Sequence, residues 1–248
     1  MSDPKPTHVS RRSSAVLAVT SGVLMAGYLL LRPYGDADGG ETLAAAEAFS
    51  STLWIASHLA GAAALVSLAA FWSLQTSGPL RWTGPVGVAL VLPYYGAETF
   101  ALHEIGARAL AGDPDVLDLV AAVRDNPAAV ALFAAGLITL AVAGIAAAIS
   151  WRRAHRPGRA AGALLPLAVI AALFLPQFFL PPAGRMAYGL VFAAAAVYAA
   201  TTAASAGRDT TGPSPVGRRS AAEPSRVRQG AAGLSLILRG RAARPAAI

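Results

Sequence analysis

PYYGAETFALHEIGAR, residues 93–108, decides how this chain is read. It follows directly on the apolar run GPVGVALVL, residues 84–92, and the two together are long enough to cross a bilayer as a helix. Yet the stretch carries two Tyr, two Glu, one His and one Arg. Ionisable groups at membrane depth are costly unless paired or wet, so they mark a functional-site hypothesis.

Working outward, the rest of the chain sets this helix among others like it. The 248 residues are 55% hydrophobic and 13% charged, with mean hydropathy +0.53. A soluble domain carries about 25% charged residues, so this chain has too little polar surface to cover a water-soluble globule. Six apolar segments are long enough to span, at about 14–31, 52–74, 84–106, 128–150, 160–180 and 186–204. The expected fold is therefore an all-α, polytopic transmembrane bundle. Cysteine is absent, which excludes disulfides, thiol catalysis, Cys-ligated zinc and iron–sulfur clusters.

The charges between these segments sort by sign. Lys5, Arg11 and Arg12 precede the first, and Arg81 separates the second from the third. Arg152, Arg153, Arg156 and Arg159 separate the fourth from the fifth, and eight Arg follow the sixth, so one side holds 16 of the 20 Lys and Arg. The opposite loops hold Asp36, Asp38, Glu41, Glu47, Asp113, Asp115, Asp118 and Asp125. The positive-inside rule then places both termini in the cytoplasm of a multi-pass protein of the cell (cytoplasmic) membrane, which requires an even number of spans. The first apolar run is long for a secretory signal and no small-x-small site follows Leu31 closely, so it reads as a signal anchor.

Three regions follow: a cytoplasmic segment 1–13, a six-helix domain 14–204, and a basic tail 205–248 rich in Gly, Pro, Ser and Arg, expected to be disordered. The tail's arginines favour anionic lipid of the inner leaflet. It has no aromatic residue on which a base would stack, so nucleic acid is not expected as a partner. On the opposite side, Val116, Leu119, Val120 and Val123 share one helical face. They predict an amphipathic helix over 114–124, capped by Asp113 and lying on the surface or over the bundle. Residues 41–50 are expected to extend the second span, and Asn126-Pro127 to open the fourth.

Pro93 removes a backbone donor near the middle of the third span and predicts a kink or opening there. Glu98 lies about 6 Å to the outer side of that helix's midpoint, and His58 lies about 6 Å to the outer side of its antiparallel neighbour's. An acid and an imidazole at matching depth predict a hydrogen-bonded pair. Tyr94, Tyr95, His103 and Gln177 complete the candidate pocket, and Glu104 and Arg108 predict a surface ion pair.

Plainer readings compete. Trp54, Tyr94, Tyr95 and Tyr188 suit an aromatic belt at the interface, and Gly61, Gly136 and Gly144 suit close helix packing. Glu98 and His103 are five apart and diverge by about 140° on an ideal helix, which argues against a converging zinc site. Only one His–His pair is available for a haem, and DADGGE at 36–41 is too short for an EF-hand loop. No nucleotide loop, GxSxG elbow or HExxH motif is present, so no cofactor, metal or catalytic residue is assigned.

LPYYGAETFALHEIG at 92–106 and LFLPQFFLPPAGRMAYG at 173–189 look motif-like. With the span pattern over about 14–204, the chain resembles small, uncharacterised six-span bacterial integral membrane proteins. The resemblance implies a fold class and no activity. The expectation from the residues is a small ligand or proton bound or transported through an outward-facing pocket, with Glu98 titrating and His58 as its partner. A membrane scaffold that binds no ligand is the first alternative. An intramembrane enzyme using Glu98 as acid or base, with His58 or His103 as second group, is the other.

Overall fold

The computed structural model describes residues 8–155 and 157–206. Among the described residues the chain is all-helical, without strands. Its α-helices are α1 (His8–Leu31), α2 (Leu43–Ser50), α3 (Thr52–Gln75), α4 (Thr83–Gly96), α5 (Leu102–Leu110), α6 (Leu119–Arg124), α7 (Pro127–Ala154), α8 (Leu165–Ala172) and α9 (Pro182–Ala206). The segment 1–7 and the tail beyond Ala206 lie outside the described residues, and with them the expected lipid contact of the tail.

Four helices are long and apolar enough to cross a membrane, namely Arg12–Leu31, Thr52–Gln75, Pro127–Ala154 and Pro182–Thr202. The other two expected spans take different forms. The third runs as helix from Thr83 to Leu110, and Pro93 stays inside α4. The irregularity falls just beyond it, in a π turn over Ala97–Ala101 where the Ala97 amide is shared between the Pro93 and Tyr94 carbonyls. The fifth is broken by prolines. A 3₁₀ turn at Arg159–Gly162, the eight residues of α8 and a second 3₁₀ turn at Pro176–Phe179 replace a single helix. Eight residues rise only about 12 Å.

The long helices pack antiparallel through small residues. Gln75 Nε2 donates to Ser14 Oγ at one end of α1 and α3, while Gly189 of α9 meets Leu29 at the other end of α1. Gly87 of α4 and Gly136 of α7 face each other so closely that a Cβ on Gly136 would lie 2.7 Å from the Gly87 carbonyl oxygen. Gly144 lies over the Trp72 ring. The core between them is apolar, with Leu65, Leu68, Phe71, Trp72, Leu167 and Phe192 almost fully buried.

A second, smaller core caps one end. Phe49 of α2, Trp54 of α3, Leu102 and Ile105 of α5, and Leu117 and Val120 pack together there. Residues 41–50 do not extend the second span. Ser51 is extended (φ −73°, ψ 146°), ending α2 and capping α3, where its hydroxyl accepts from the Trp54 amide. The stretch 114–124 splits into a 3₁₀ turn at Pro114–Asp118 and α6, and no side-chain cap forms at Asp113. The turn rotates the expected face, so Leu117 and Val120 are buried and Leu119 is exposed. Asn126 does open α7, its side-chain oxygen accepting from the Ala128 and Ala129 amides.

Candidate functional site

Beneath that cap, four charged side chains form one chain. Arg32 follows the last turn of α1, four residues after Tyr28, and its guanidinium donates to Asp36 Oδ2 at 2.7 Å. Arg124, at the end of α6, donates to the same oxygen at 2.7 Å and to Glu98 Oε1 at 2.9 Å. Arg32–Asp36–Arg124–Glu98 thus alternates in sign and balances. Asp36 and Arg32 side chains are 5% exposed, Glu98 13% and Arg124 21%, so these pairs are far drier than ordinary surface salt bridges. Burial works to raise the Asp36 carboxyl. The charges and hydrogen bonds of Arg32 and Arg124 prevail and hold it below the usual carboxylate range. Burial likewise opposes the charge on Arg124, and Glu98 and Asp36 reverse that, raising it.

Backbone features hold this chain in place. A Cβ on Gly35 would overlap the Ala44 carbonyl oxygen, so only glycine lets the 33–42 loop lie against α2 and present Asp36. Gly40 is packed under Val120, where a Cβ would lie 2.6 Å from Val120 Cγ1, and that contact seats α6. Aromatic faces complete the walls. Arg32 stands 4.8 Å from the Trp54 ring, and Arg124 stands 5.1 Å from Phe49 and 5.9 Å from Trp54.

Trp54 joins the charges to the deeper helices. It is fully buried, and its indole N–H donates to the Glu98 carbonyl oxygen, in the π turn, at 3.2 Å. One turn below, His58 places Nδ1 2.7 Å from the Trp54 carbonyl oxygen and stacks 4.2 Å from the Trp54 ring. A carbonyl only accepts, so Nδ1 carries the proton and Nε2 of a neutral ring is an acceptor. Tyr28 at 5.3 Å and Tyr95 at 6.2 Å close the other sides of the imidazole. Gly61 makes this possible, since a Cβ there would sit 3.0 Å from the Tyr28 ring and 3.1 Å from Tyr95 Oη.

The expected His58–Glu98 hydrogen bond does not form. The π turn and α6 bring Arg124 to the Glu98 carboxylate, and His58 turns its donor to its own helix, so the two residues meet only through Trp54. Tyr95 is buried beside His58, while half-buried Tyr94 stacks on Phe133 at 4.5 Å. His103 points into the cap, with Nδ1 2.9 Å from the Phe49 carbonyl oxygen, so it is not part of the His58 group. Gln177 is 1% exposed with neither amide atom hydrogen-bonded. Its neighbour Phe178 reaches Tyr94 only through Phe133. Glu104 and Arg108 stay exposed and do not pair. Trp54, Tyr95 and Tyr188 are core residues rather than belt anchors, and Tyr188 Oη donates to the Ile170 carbonyl at 2.7 Å.

Arg32, Asp36, Arg124 and Tyr28 are the site residues the sequence reading passed over. A signal for the two arginines was present: only Arg32, Arg108, Arg124 and Arg185 fall on the acidic side of the spans. A cation against the prevailing sign calls for a local partner. Five buried polar atoms of this cluster lack a hydrogen-bond partner: Arg32 Nη1, Asp36 Oδ1, Arg124 Nε, His58 Nε2 and Tyr95 Oη. Native interiors leave few such atoms, and here they converge on one region. No group of three or more His, Cys, Asp or Glu among the described residues is placed to hold a metal ion. No family model, curated protein or solved structure matches the chain.

Proposed function

We propose that the chain is a six-span protein of the cytoplasmic membrane, both termini inside, that binds a small polar ligand or a proton in an outward-facing pocket around His58 and Glu98. The distribution of Lys and Arg supports the orientation, because it puts the end carrying Asp36, Glu98 and Arg124 outside. The reading rests on one observation, the convergence of five unpartnered buried polar atoms beside a balanced ion chain. The balance favours a ligand without net charge, or a single proton. His58 Nε2 is the acceptor for that donor, with Tyr95 Oη beside it and Arg124–Glu98 as the polar wall. This reverses the roles expected from sequence, since Glu98 is already engaged by Arg124.

Reconstitution in liposomes with a trapped pH-sensitive dye tests the proton form. Wild type should dissipate an imposed gradient faster than empty vesicles, and His58→Phe should return to the empty-vesicle rate while remaining folded. For a ligand, nitrogen NMR of His58 during titration with small polar solutes should show a saturable shift. Equal rates for wild type and empty vesicles, with no solute moving His58, would overturn the proposal.

A scaffold that binds nothing is favoured by a different observation: the ion chain ties α1, the 33–42 loop, the π turn and α6 together. It predicts that Asp36 and Arg124 variants lose abundance and that His58 variants change nothing. The enzyme reading gains no support, because Glu98 is ion-paired and neither His58 nor His103 touches it.

A further inference from the structure

We infer that the face between α7 and α8 binds one anionic phospholipid of the cytoplasmic leaflet, with an acyl chain in a groove and the headgroup phosphate at Arg152 and Arg153. The inference rests on the membrane orientation proposed above and is independent of the pocket at the other end.

The groove follows from the shortness of α8. Ile145, Ile149 and Arg152 recur along one face of α7, and Leu165, Val169 and Leu173 along the facing side of α8. Ala148, Ala168 and Ala172 floor the space between them, leaving a hollow of about 250 Å³. Its walls point away from the bundle, with Ile145 49%, Ile149 44% and Val169 52% exposed. The groove lies along the two helices, so on a spanning bundle it runs with the acyl chains. Arg152 closes its inner end, and Arg152 and Arg153 with Ile149 frame an adjoining hollow.

The two arginines are free for this. Trp151 donates to the Ala160 carbonyl and stacks at 4.0 Å on His155. Arg152 and Arg153 are exposed and have no ion pair among the described residues. An apolar slot ending in two unpaired cations has one fitting occupant. A hydrocarbon alone leaves the arginines unmatched, and a soluble anion leaves the slot unfilled. An anionic phospholipid satisfies both halves.

Binding of short-chain phosphatidylglycerol and phosphatidylcholine to the detergent-purified full chain tests this, with native mass spectrometry counting bound lipids. Phosphatidylglycerol should bind one per chain and at least about tenfold more tightly than phosphatidylcholine. The double variant R152Q/R153Q should remove the one tightly bound phosphatidylglycerol while leaving the weaker contact of the tail's arginines, and Val169→Trp, which fills the slot, should weaken both lipids. Equal affinity for the two lipids in wild type would overturn the site, as would a tightly bound phosphatidylglycerol that survives both variants. Glycerol phosphate binding as tightly as phosphatidylglycerol would reduce it to an anion site. A dimer lost in Val169→Trp would assign the slot to a second copy. Failure of the membrane reading looks different, since the chain would then stay monodisperse without detergent.

Discussion

The end of the bundle that carries the ion chain and the body of its long helices are held by different forces. Along the long helices, contacts run through glycines and alanines, with Gly87 against Gly136, Gly22 against Ala196 and Gly144 over Trp72. The bonds there are dispersion and shape. At the capped end, the cohesion of α1, the 33–42 loop, the π turn and α6 runs through Asp36 and Arg124, wrapped by Trp54 and Phe49. The contrast is one of tolerance. A shape-packed contact loses stability in proportion to the atoms displaced, whereas a buried ion chain fails whenever one member is removed.

The largest effect should therefore come from Asp36→Leu, which leaves both Arg32 and Arg124 buried without their shared carboxylate. Removing one partner of a buried pair costs about 3–5 kcal/mol, and thermal unfolding in detergent should fall accordingly, with Asp36→Asn in between. A cost close to that of a surface substitution would mean that water already serves these guanidiniums. Next in size is Gly136→Val. Its Cβ would press on the Gly87 carbonyl at 2.7 Å and on Val91 Cγ2 at 2.7 Å, so α4 and α7 must part. Overpacking of this kind costs about 1–3 kcal/mol. Gly144→Ala meets the Trp72 ring at 3.3 Å and the Ala168 Cα at 3.5 Å, a milder crowding that should cost less than Gly136→Val by the same assay.

Acid should separate the two regions without mutation. The folded Asp36 carboxyl lies below its unfolded value. Its contribution is complete above the unfolded carboxylate range, near about 4, and is lost as pH falls through the lower folded value. Hydrogen exchange read by mass spectrometry at falling pH should show peptides from 33–42 and 97–124 opening first, while α7 stays protected. Simultaneous opening of both would mean that the ion chain does not govern the capped end.

Much of this was legible in the sequence and some could not be. Apolar length marks α1, α3, α7 and α9, because twenty apolar residues have few other uses. Periodicity could not show that Pro176 and its neighbours break the fifth segment into turns, since hydropathy averages over such breaks. The depth match predicted that His58 and Glu98 would pair; instead each meets Trp54, whose indole donates to the Glu98 carbonyl and whose ring lies 4.2 Å from the His58 ring. Partner identity escaped because Asp36 and Arg124 are 88 residues apart and lie in loops and short helices, where no period links them. The π turn adds one residue to the register of the third helix, so positions counted at i and i+4 across it, such as Thr99 and His103, do not keep a common face.

The smallest effect on stability is the most informative about function. His58 makes one hydrogen bond, to its own helix, and leaves Nε2 buried and unpaired. Replacing it with Phe forfeits about 1 kcal/mol for that bond and removes an orphaned polar atom at the same time, so the melting temperature should scarcely move. A scaffold has no reason to keep a polar atom buried at such a place, and in that case apolar replacement leaves every phenotype unchanged. In a binding protein the same replacement abolishes the response to ligand or proton while the fold persists. Asp36→Leu cannot make this distinction, because it damages both. His58→Phe separates the energetics of the capped end from its chemistry, and a simultaneous loss of stability of more than about 2 kcal/mol would show that His58 belongs to the structural half of the comparison after all.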